Sequence, residues 1–70
     1  MKTFGTLQKN EIGRWEFSDR ELTSGSAVEI KIAGNWVSGR IEHIFKVGYV
    51  FLAGHEEAII YLQSGMESRQ

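Results

Sequence analysis

The chain has 70 residues, a formal net charge of -1, 41% hydrophobic residues and no cysteine. Its length permits one small domain, its hydrophobic content argues against a disordered chain, and the lack of cysteine excludes disulfide bonds and thiolate zinc sites. The longest apolar runs have five residues, far fewer than the about 20 of a membrane-spanning helix, so we expect a soluble, cytoplasmic protein without a membrane partner.

The N-terminal part of the chain predicts two short strands separated by a polar turn. Residues 3–8 form the first, in which Gly5 can mark a bulge, and residues 14–17 form the second. Trp15 and Phe17 fall on one face of the second strand, because side chains alternate between the two faces of a strand. We therefore expect both aromatic side chains to lie in the core.

Residues 18–21 have the sequence Ser-Asp-Arg-Glu, which matches the Ser-x-x-Glu form of a helix capping box. Only Leu22 follows before the polar residues 23–26, and this apolar stretch is too short for more than one helical turn. We therefore predict a loop here, with the Leu22 side chain tucked under the rest of the fold.

The stretch from Ala27 to Ile44 has the clearest pattern in the chain, that of a β-hairpin. Apolar and charged residues alternate strictly over its first strand: Val28, Glu29, Ile30, Lys31 and Ile32. Residues 33–35 predict the turn, since Gly and Asn adopt positive φ at low cost. The return strand runs from Trp36 to about Phe45, and the other strands are expected to add to this hairpin.

Two further strands are predicted after the hairpin. Residues 46–48 form a turn, and Tyr49 to Ala53 form a strand rich in aromatic and β-branched residues. The last strand spans residues 56–62, for which a short amphipathic helix is the alternative, because a short apolar run does not settle its own period. The polar residues 64–70 are expected to fray. Strands of this number and length predict closure into a small all-β barrel of about five strands.

Gly39 lies inside the return strand, where a missing side chain predicts a bend or the close crossing of another strand. Val37 and Ile41 are the apolar pair of this strand and are expected to face the core. Trp36 and Arg40 would then share the outer face, and an exposed aromatic beside a cation is a common composition of a binding surface. The alternative is that Trp36 covers one end of the barrel and Arg40 packs along it.

Three stretches occur in a recognisable order: Leu22 with Gly25, then Val28-Glu29-Ile30, then Gly34-Asn35-Trp36-Val37-Ser38-Gly39-Arg40-Ile41. They resemble the Gly, Val-x-Val, Gly-x-Trp-x-x-Gly-x-Ile pattern of SH3-like and Tudor-like barrels. Together with Gly5-Thr6-Leu7 they resemble, more narrowly, a family of small uncharacterised proteins of Gram-positive bacteria and their mobile elements. The resemblance implies a single SH3-like barrel domain over residues 1–70 and brings no assigned activity.

The resemblance also implies where a ligand site would lie. Tudor-like domains bind methylated Lys or Arg in an aromatic cage. The cage positions fall here near four residues that have no Trp, Tyr or Phe ring: Ile32, Val37, Leu52 and His55. A methyl-ligand cage is therefore not expected. SH3 domains bind proline-rich peptides in an aromatic groove. The aromatic residues available for such a groove are Trp36, Tyr49 and Tyr61, although the acidic run of the usual specificity loop is missing.

Catalytic and metal-binding patterns are weak in this chain. The string His55-Glu56-Glu57 lacks the second histidine of a zincin, because Ile59 stands at the required position. A polar turn explains His55 better, and His43 is expected to be a half-buried sheet residue. Glu56 and Glu57 are neighbours in a predicted strand and would point to opposite faces, so they would not act as paired acid and base. We expect no enzyme activity, no metal and no cofactor.

These observations favour a non-enzymatic binding module whose partner is another protein or a second copy of the chain. The candidate binding surface consists of Trp36, Arg40, Tyr49 and Glu42. A nucleic-acid-binding barrel is the alternative, although the net charge lacks the usual basic excess. Its phosphate contacts would come from Lys31, Arg40 and Lys46. The resemblance to mobile-element proteins suggests a third role, the inhibition of a host or phage system.

Overall fold

The computed structural model describes residues 1–55 and 58–70, and in this part of the chain every regular element is a β-strand. No helix of the described residues is long and apolar enough to cross a membrane. The strands are β1 (Phe4–Thr6), β2 (Gln8–Lys9), β3 (Trp15–Phe17), β4 (Arg20–Leu22), β5 (Ala27–Ile32), β6 (Asn35–Ile44), β7 (Gly48–Ala53), β8 (Ala58–Tyr61) and β9 (Glu67–Arg69).

The strands form two antiparallel sheets, which confirms the predicted all-β class. The larger sheet has the order β1-β9-β5-β6-β7-β8, and the smaller has the order β2-β3-β4. The described strands outnumber the predicted ones because the segment 3–8 contains two strands and because β4 and β9 were not predicted. Within the described residues both sheets have open edges, so closure into one continuous ring is not observed.

The core lies between the two sheets and draws on both. The smaller sheet contributes Phe17 and Leu22, each 1% exposed. The larger sheet contributes side chains at alternating positions of its central strands, so that one face of each strand is apolar and buried. The buried cluster comprises Leu7, Phe17, Leu22, Val28, Ile30, Ile41, Phe51 and Leu62. We call the face of the larger sheet opposite to this cluster the outer face.

The β5–β6 hairpin confirms the central prediction, with a turn that is one residue tighter than predicted. Ala33 and Gly34 both have positive φ, 51° and 81°, as a two-residue hairpin turn requires. Asn35 is not part of the turn, because it already pairs with Ile32 as the first residue of β6.

Gly39 marks a close approach of two paired strands and not the crossing of a further strand. A Cβ atom at this position would collide with the carbonyl oxygen of Leu52 and would lie 2.7 Å from two ring carbons of Phe51. Both neighbours belong to β7, and one of them is backbone that has little freedom to move. The absence of a side chain at this position therefore allows β6 and β7 to approach each other around the buried Phe51 ring.

The predicted loop over residues 18–21 is instead a tight hairpin between β3 and β4. Ser18 and Asp19 take positive φ values of 48° and 63° and form its turn, so Arg20 pairs directly with Phe17. Neither turn residue is Gly, which removes the usual sequence signal for such a turn. Leu22 is buried as predicted, but on strand β4.

The predicted strand over residues 3–8 is divided by Leu7 between the two sheets. The Leu7 side chain is fully buried, and its backbone bonds to residues just before β9: the Leu7 amide donates to Met66 at 2.8 Å, and the Gly65 amide donates to Leu7 at 2.8 Å. Leu7 thus ties the smaller sheet to the larger one.

The C-terminal end departs most from prediction. Ala58–Tyr61 is a strand and not a helix, while residues 56–57 lie outside the described part. The expected frayed tail contains β9, which pairs with β1 on one side and with β5 on the other. Ser68 is fully buried in that strand. A polar segment of three residues carries little strand signal of its own, because its partners lie about 40 or more residues away in sequence.

Candidate functional site

Trp36 lies on the outer face, where side chains from three other strands surround it. The guanidinium carbon of Arg69 is 4.3 Å from the centre of the Trp36 ring, and the Lys31 ammonium nitrogen is 5.7 Å from it. The Phe4 ring packs edge-on at 5.8 Å between centroids. We call these four residues the outer-face cluster. Trp36 is half-buried, and its ring already has cations of the same chain as partners.

Glu29 anchors Arg69, one of the two cations of the outer-face cluster. Its carboxylate accepts two hydrogen bonds from Arg69, at 2.9 and 3.1 Å, and forms an ion pair with Lys2 at 2.9 Å. These contacts, Arg69 first and Lys2 second, lower the pKa of Glu29 from 4.5 to about 2. The bidentate pair fixes the plane of the Arg69 guanidinium, which in turn is held against Trp36.

Arg40 and Glu42 follow Trp36 on the outer face of β6, as their alternation predicts. The Arg40 Nε atom donates to Glu42 at 2.9 Å, and both side chains are partly exposed. Lys46 lies in the turn that follows β6, whereas Lys31 pairs with Trp36 near the start of that strand. The ten residues of β6 separate the two lysines by roughly 30 Å, so the structure does not gather the phosphate-binding set of the nucleic-acid prediction.

Tyr49 is the predicted site residue that the structure places elsewhere. It pairs with His43, and these two side chains lie on the face opposite to Glu42, because adjacent residues of a strand alternate in direction. The Tyr49 ring packs against the core and meets the His43 imidazole edge-on at 4.9 Å. Tyr49 therefore belongs to a different surface from Trp36.

That second surface is a groove of about 380 Å³ between the two sheets. Three aromatic residues line it: Trp15 from β3, Tyr49 from β7 and Tyr61 from the end of β8. Its other lining residues are Lys9, Ile12, Gly13, His43, Val47, Gly48 and Leu62. We call it the aromatic groove. Tyr49 and Tyr61 both line this groove, and Trp15 lines it in place of Trp36.

Ile12 and Trp15 form one wall of the groove, and the Asn10 side chain holds the turn that carries Ile12. The Asn10 side-chain oxygen accepts from the backbone amides of Ile12, at 3.1 Å, and Arg14, at 2.9 Å. Its amide nitrogen donates to Glu16 at 3.1 Å and to Glu21 at 2.8 Å. An asparagine that bonds to amides just ahead of it closes a tight turn, and this turn leaves Ile12 71% exposed at its tip.

The base of this loop is also fixed by charge. Arg14 donates to Glu21 at 3.1 Å, and this hydrogen bond, followed by the proximity of the Tyr49 phenol, raises the pKa of Arg14. Arg14 thus links the β2–β3 loop to strand β4. The loop that carries Ile12 is therefore held by hydrogen bonds of both Asn10 and Arg14.

Among the described residues, no group of three or more His, Asp or Glu side chains is placed to hold a metal ion. His55 lies in a turn, as predicted, and Glu56 and Glu57 lie outside the described part. His43 is exposed, more so than the predicted half-buried position, and its ring contacts Tyr49.

A family profile described as a domain of unknown function, DUF5348, matches residues 5–70. The chain belongs to the DUF5348 family. No curated protein and no solved structure matches the chain. The family match includes both β9 and the groove-lining residues of this DUF5348 domain, and it leaves function to be argued from the geometry.

Sequence reasoning missed two groove residues, Trp15 and Ile12. Trp15 alternates with Glu16 and shares the apolar face of Phe17, which indicates core, and it is indeed packed partly against the core. The part of the Trp15 ring that stays exposed depends on how far the smaller sheet overlaps the larger one. Alternation of residues within one strand does not indicate this overlap. The signal that was available for Ile12 is an isolated apolar residue in an otherwise polar turn.

Proposed function

We propose that this DUF5348 domain is a non-enzymatic protein-interaction module, which binds an extended segment of a partner protein in the aromatic groove. The main support is the concentration of exposed apolar surface in one concave place. Ile12 and Val47 are 71% and 52% exposed, and both line this groove beside the rings of Trp15 and Tyr49. Single exposed apolar side chains are ordinary on protein surfaces, whereas several around one groove are typical of an interaction site.

The aromatic lining supports the same proposal. Tyr and Trp are enriched at protein interfaces because they bury a large area while losing few rotatable bonds, and each keeps a polar atom for a hydrogen bond. Trp15 and Tyr49 are held in place by packing against the core. A partner would therefore meet rings that are already ordered, which reduces the entropic cost of binding.

The charges of the groove indicate the chemistry of the partner. The Lys9 ammonium nitrogen lies 6.0 Å from the Trp15 ring centre. Among the described residues that line the groove, Lys9 is the charged one at neutral pH and no carboxylate accompanies it. A segment with a bulky apolar side chain next to an Asp or Glu complements this arrangement, since the apolar group fits the rings and the carboxylate meets Lys9.

The outer-face cluster offers less to a partner, although it contains the residues that the sequence singled out. Trp36 is contacted by Arg69, and Arg40 is paired with Glu42. A partner at this surface would first have to displace interactions that the chain already makes. In the aromatic groove the cation is more distant, since Lys9 lies 6.0 Å from the Trp15 ring centre, compared with 4.3 Å for Arg69 and Trp36.

The proposal is tested by selecting binders from a displayed library of random peptides, using the full chain as bait. A selected peptide is then titrated by calorimetry into the wild type, Val47→Ser and Phe45→Ser. Val47 lines the groove, whereas Phe45 lies in the same turn, is 82% exposed and does not line it. We expect Val47→Ser to weaken binding at least about fivefold, since truncating a useful contact costs on the order of 1 kcal/mol.

Phe45→Ser is the matched control and should leave the affinity unchanged. Equal effects of the two substitutions, or a library that yields no binder enriched in apolar and acidic residues, would count against the groove. Binding of single-stranded nucleic acid with a steep salt dependence, in place of peptide binding, would instead support the alternative function.

A further inference from the structure

The four edge strands of the two sheets differ in how well they are protected. β1 has three residues, and its Phe4 carbonyl accepts a hydrogen bond from the Ser18 hydroxyl at 2.6 Å. β2 has two residues, one of which is Lys9, and β4 carries the charged pair Arg20-Glu21. Short length and charge are the usual means by which proteins prevent edge strands from pairing with other chains.

β8 has none of these protections in its described residues. Its sequence is Ala-Ile-Ile-Tyr, and it pairs with β7 on one side, while no described strand pairs with its other side. Ile59 and Tyr61 are 56% and 65% exposed. An uncharged strand with an unpaired backbone and exposed apolar side chains is suited to accept another strand.

The outer face next to β8 continues the apolar character of this edge. Across the sheet, Leu52 stands beside Ile59, and Val50 stands beside Tyr61. Val50 is fully buried, although it points away from the main core cluster. The outer face of β7 and β8 thus carries an apolar band that runs up to the edge of the sheet, where Ile59 and Tyr61 are its exposed members.

Charged residues border the band on its other side. On β6, Arg40 stands beside Leu52, and Glu42 stands beside Val50. The outer face therefore has two rows that both end at the β8 edge: Arg40, Leu52, Ile59 in one and Glu42, Val50, Tyr61 in the other.

We propose that the β8 edge is a self-association site, at which β8 pairs antiparallel with β8 of a second copy about a two-fold axis through Ile60. In this register Ile59 of each copy stands opposite Tyr61 of the other, an aromatic and β-branched pair of the kind that stabilises antiparallel strands. On the outer face, the row that ends at Ile59 in one copy then continues into the row that begins at Tyr61 in the other copy. A two-fold axis makes the contact self-limiting, so it gives a dimer and not a fibre.

The charges of the two copies are compatible with this register. Each combined row begins at Arg40 of one copy and ends at Glu42 of the other, so the apolar centre is bordered by opposite charges and no like charges face each other across the axis. The arrangement has the apolar centre and polar border of an interface.

The size of the contact indicates a weak dimer. A standard interface buries about 800 Å² on each partner, which would be roughly a sixth of the 4564 Å² surface of this chain. One four-residue strand with two outer-face side chains offers less than that. We therefore expect an equilibrium that depends on protein concentration, as for other small interfaces.

Sedimentation equilibrium of the full chain over a wide concentration range tests the site. Wild type should change from monomer to dimer, and Ile59→Lys should weaken the association at least about tenfold, because it places a charge at each pairing edge. Ile12→Lys is the matched control, since Ile12 is exposed to a similar extent but lines the aromatic groove. A wild type that stays monomeric at every concentration would overturn the proposal.

The register is tested by disulfide trapping, for which the cysteine-free sequence is convenient. Ile59→Cys and Tyr61→Cys are mixed and oxidised mildly, and the heterodimer should form faster than either homodimer. Homodimers that form equally fast would overturn the register. An association weakened by Ile12→Lys and not by Ile59→Lys would place the second copy in the groove and overturn the β8 site, while peptide binding in the groove is measured independently.

Discussion

The two tryptophans of this chain stand in contrasting surroundings. Trp36 lies on the outer face under Arg69, which is itself held by Glu29, so the ring takes part in a set of contacts that the chain completes by itself. Trp15 packs partly against the core and presents the rest of its surface to a groove with the exposed Ile12 and Val47 on its rim. If the groove binds a partner as proposed, exposure of an aromatic residue is a weaker guide to binding than whether its neighbours are already paired.

This contrast assigns different roles to the two surfaces. The outer-face cluster fixes β9 in the middle of the larger sheet, because Arg69 belongs to β9 while Trp36 and Glu29 belong to β6 and β5. The aromatic groove fixes little and leaves apolar area exposed. Substitutions in the cluster should therefore change stability, and substitutions on the rim of the groove should change binding.

The largest expected effect is that of Trp36→Ala. Removing the ring leaves Arg69 and Phe4 without their central contact, and we expect the free energy of unfolding to fall by about 2 kcal/mol, below the full cost of a buried Trp because Trp36 is only half-buried. Urea unfolding of wild type and variant measures the change. A loss too small to measure would mean that Trp36 is not structural cover, and the contrast between the two surfaces would fail.

A smaller and pH-dependent effect is expected for Glu29→Gln. The pKa of Glu29 is lowered from 4.5 to about 2 by Arg69 and Lys2, so its ionised form stabilises the fold fully above pH 4.5, and this contribution is lost as the pH falls towards 2. Thermal unfolding of wild type and Glu29→Gln should differ at neutral pH and converge towards pH 2. Curves that stay parallel down to pH 2 would mean that the ion pairs of Glu29 do not stabilise the fold.

The ion pair between Arg40 and Glu42 should contribute less to the free energy of unfolding. Both side chains are partly exposed, and exposed ion pairs contribute at most about 1 kcal/mol. A double-mutant cycle with Arg40→Ala and Glu42→Ala should therefore give a coupling energy below about 1 kcal/mol, with no loss of binding to the selected peptide. Loss of peptide binding in either variant would return the interaction site to the outer face.

The smallest effect on stability is expected at the rim of the aromatic groove. Ile12→Ser and Val47→Ser remove side chains that are mostly exposed, so the free energy of unfolding should change by no more than about 0.5 kcal/mol. Urea unfolding measures this change, and Val47→Ser is also the variant whose peptide affinity is tested. A large destabilisation would show that these side chains serve the fold, and their loss of binding would then carry no weight.

The part of the fold that could be predicted from sequence is the part with local signals. Strict alternation over Val28–Ile32 and the Gly34 turn predicted the β5–β6 hairpin, and the missing side chain of Gly39 lies where β6 and β7 approach closely. β4 was missed because Ser18 and Asp19 adopt positive φ without a Gly to indicate it. β9 was missed because the strands that pair with it are far away in sequence.

The candidate surface was predicted less well than the fold. Alternation correctly placed Trp36, Arg40 and Glu42 on one face, but it did not indicate that Arg69 would lie on the Trp36 ring. Tyr49 was assigned to the same surface although its side chain points to the opposite face of the sheet. The aromatic groove is formed where the two sheets meet, and a pattern within one strand does not predict how two sheets overlap.

Tryptophan fluorescence of two single-tryptophan variants tests the contrast most directly. Trp36→Phe leaves Trp15 as the reporter of the groove, and Trp15→Phe leaves Trp36 as the reporter of the outer face. Titration with the selected peptide should shift the emission of Trp36→Phe and leave that of Trp15→Phe unchanged while binding persists. A shift confined to Trp15→Phe would contradict the account, because it would place the partner on the outer-face cluster.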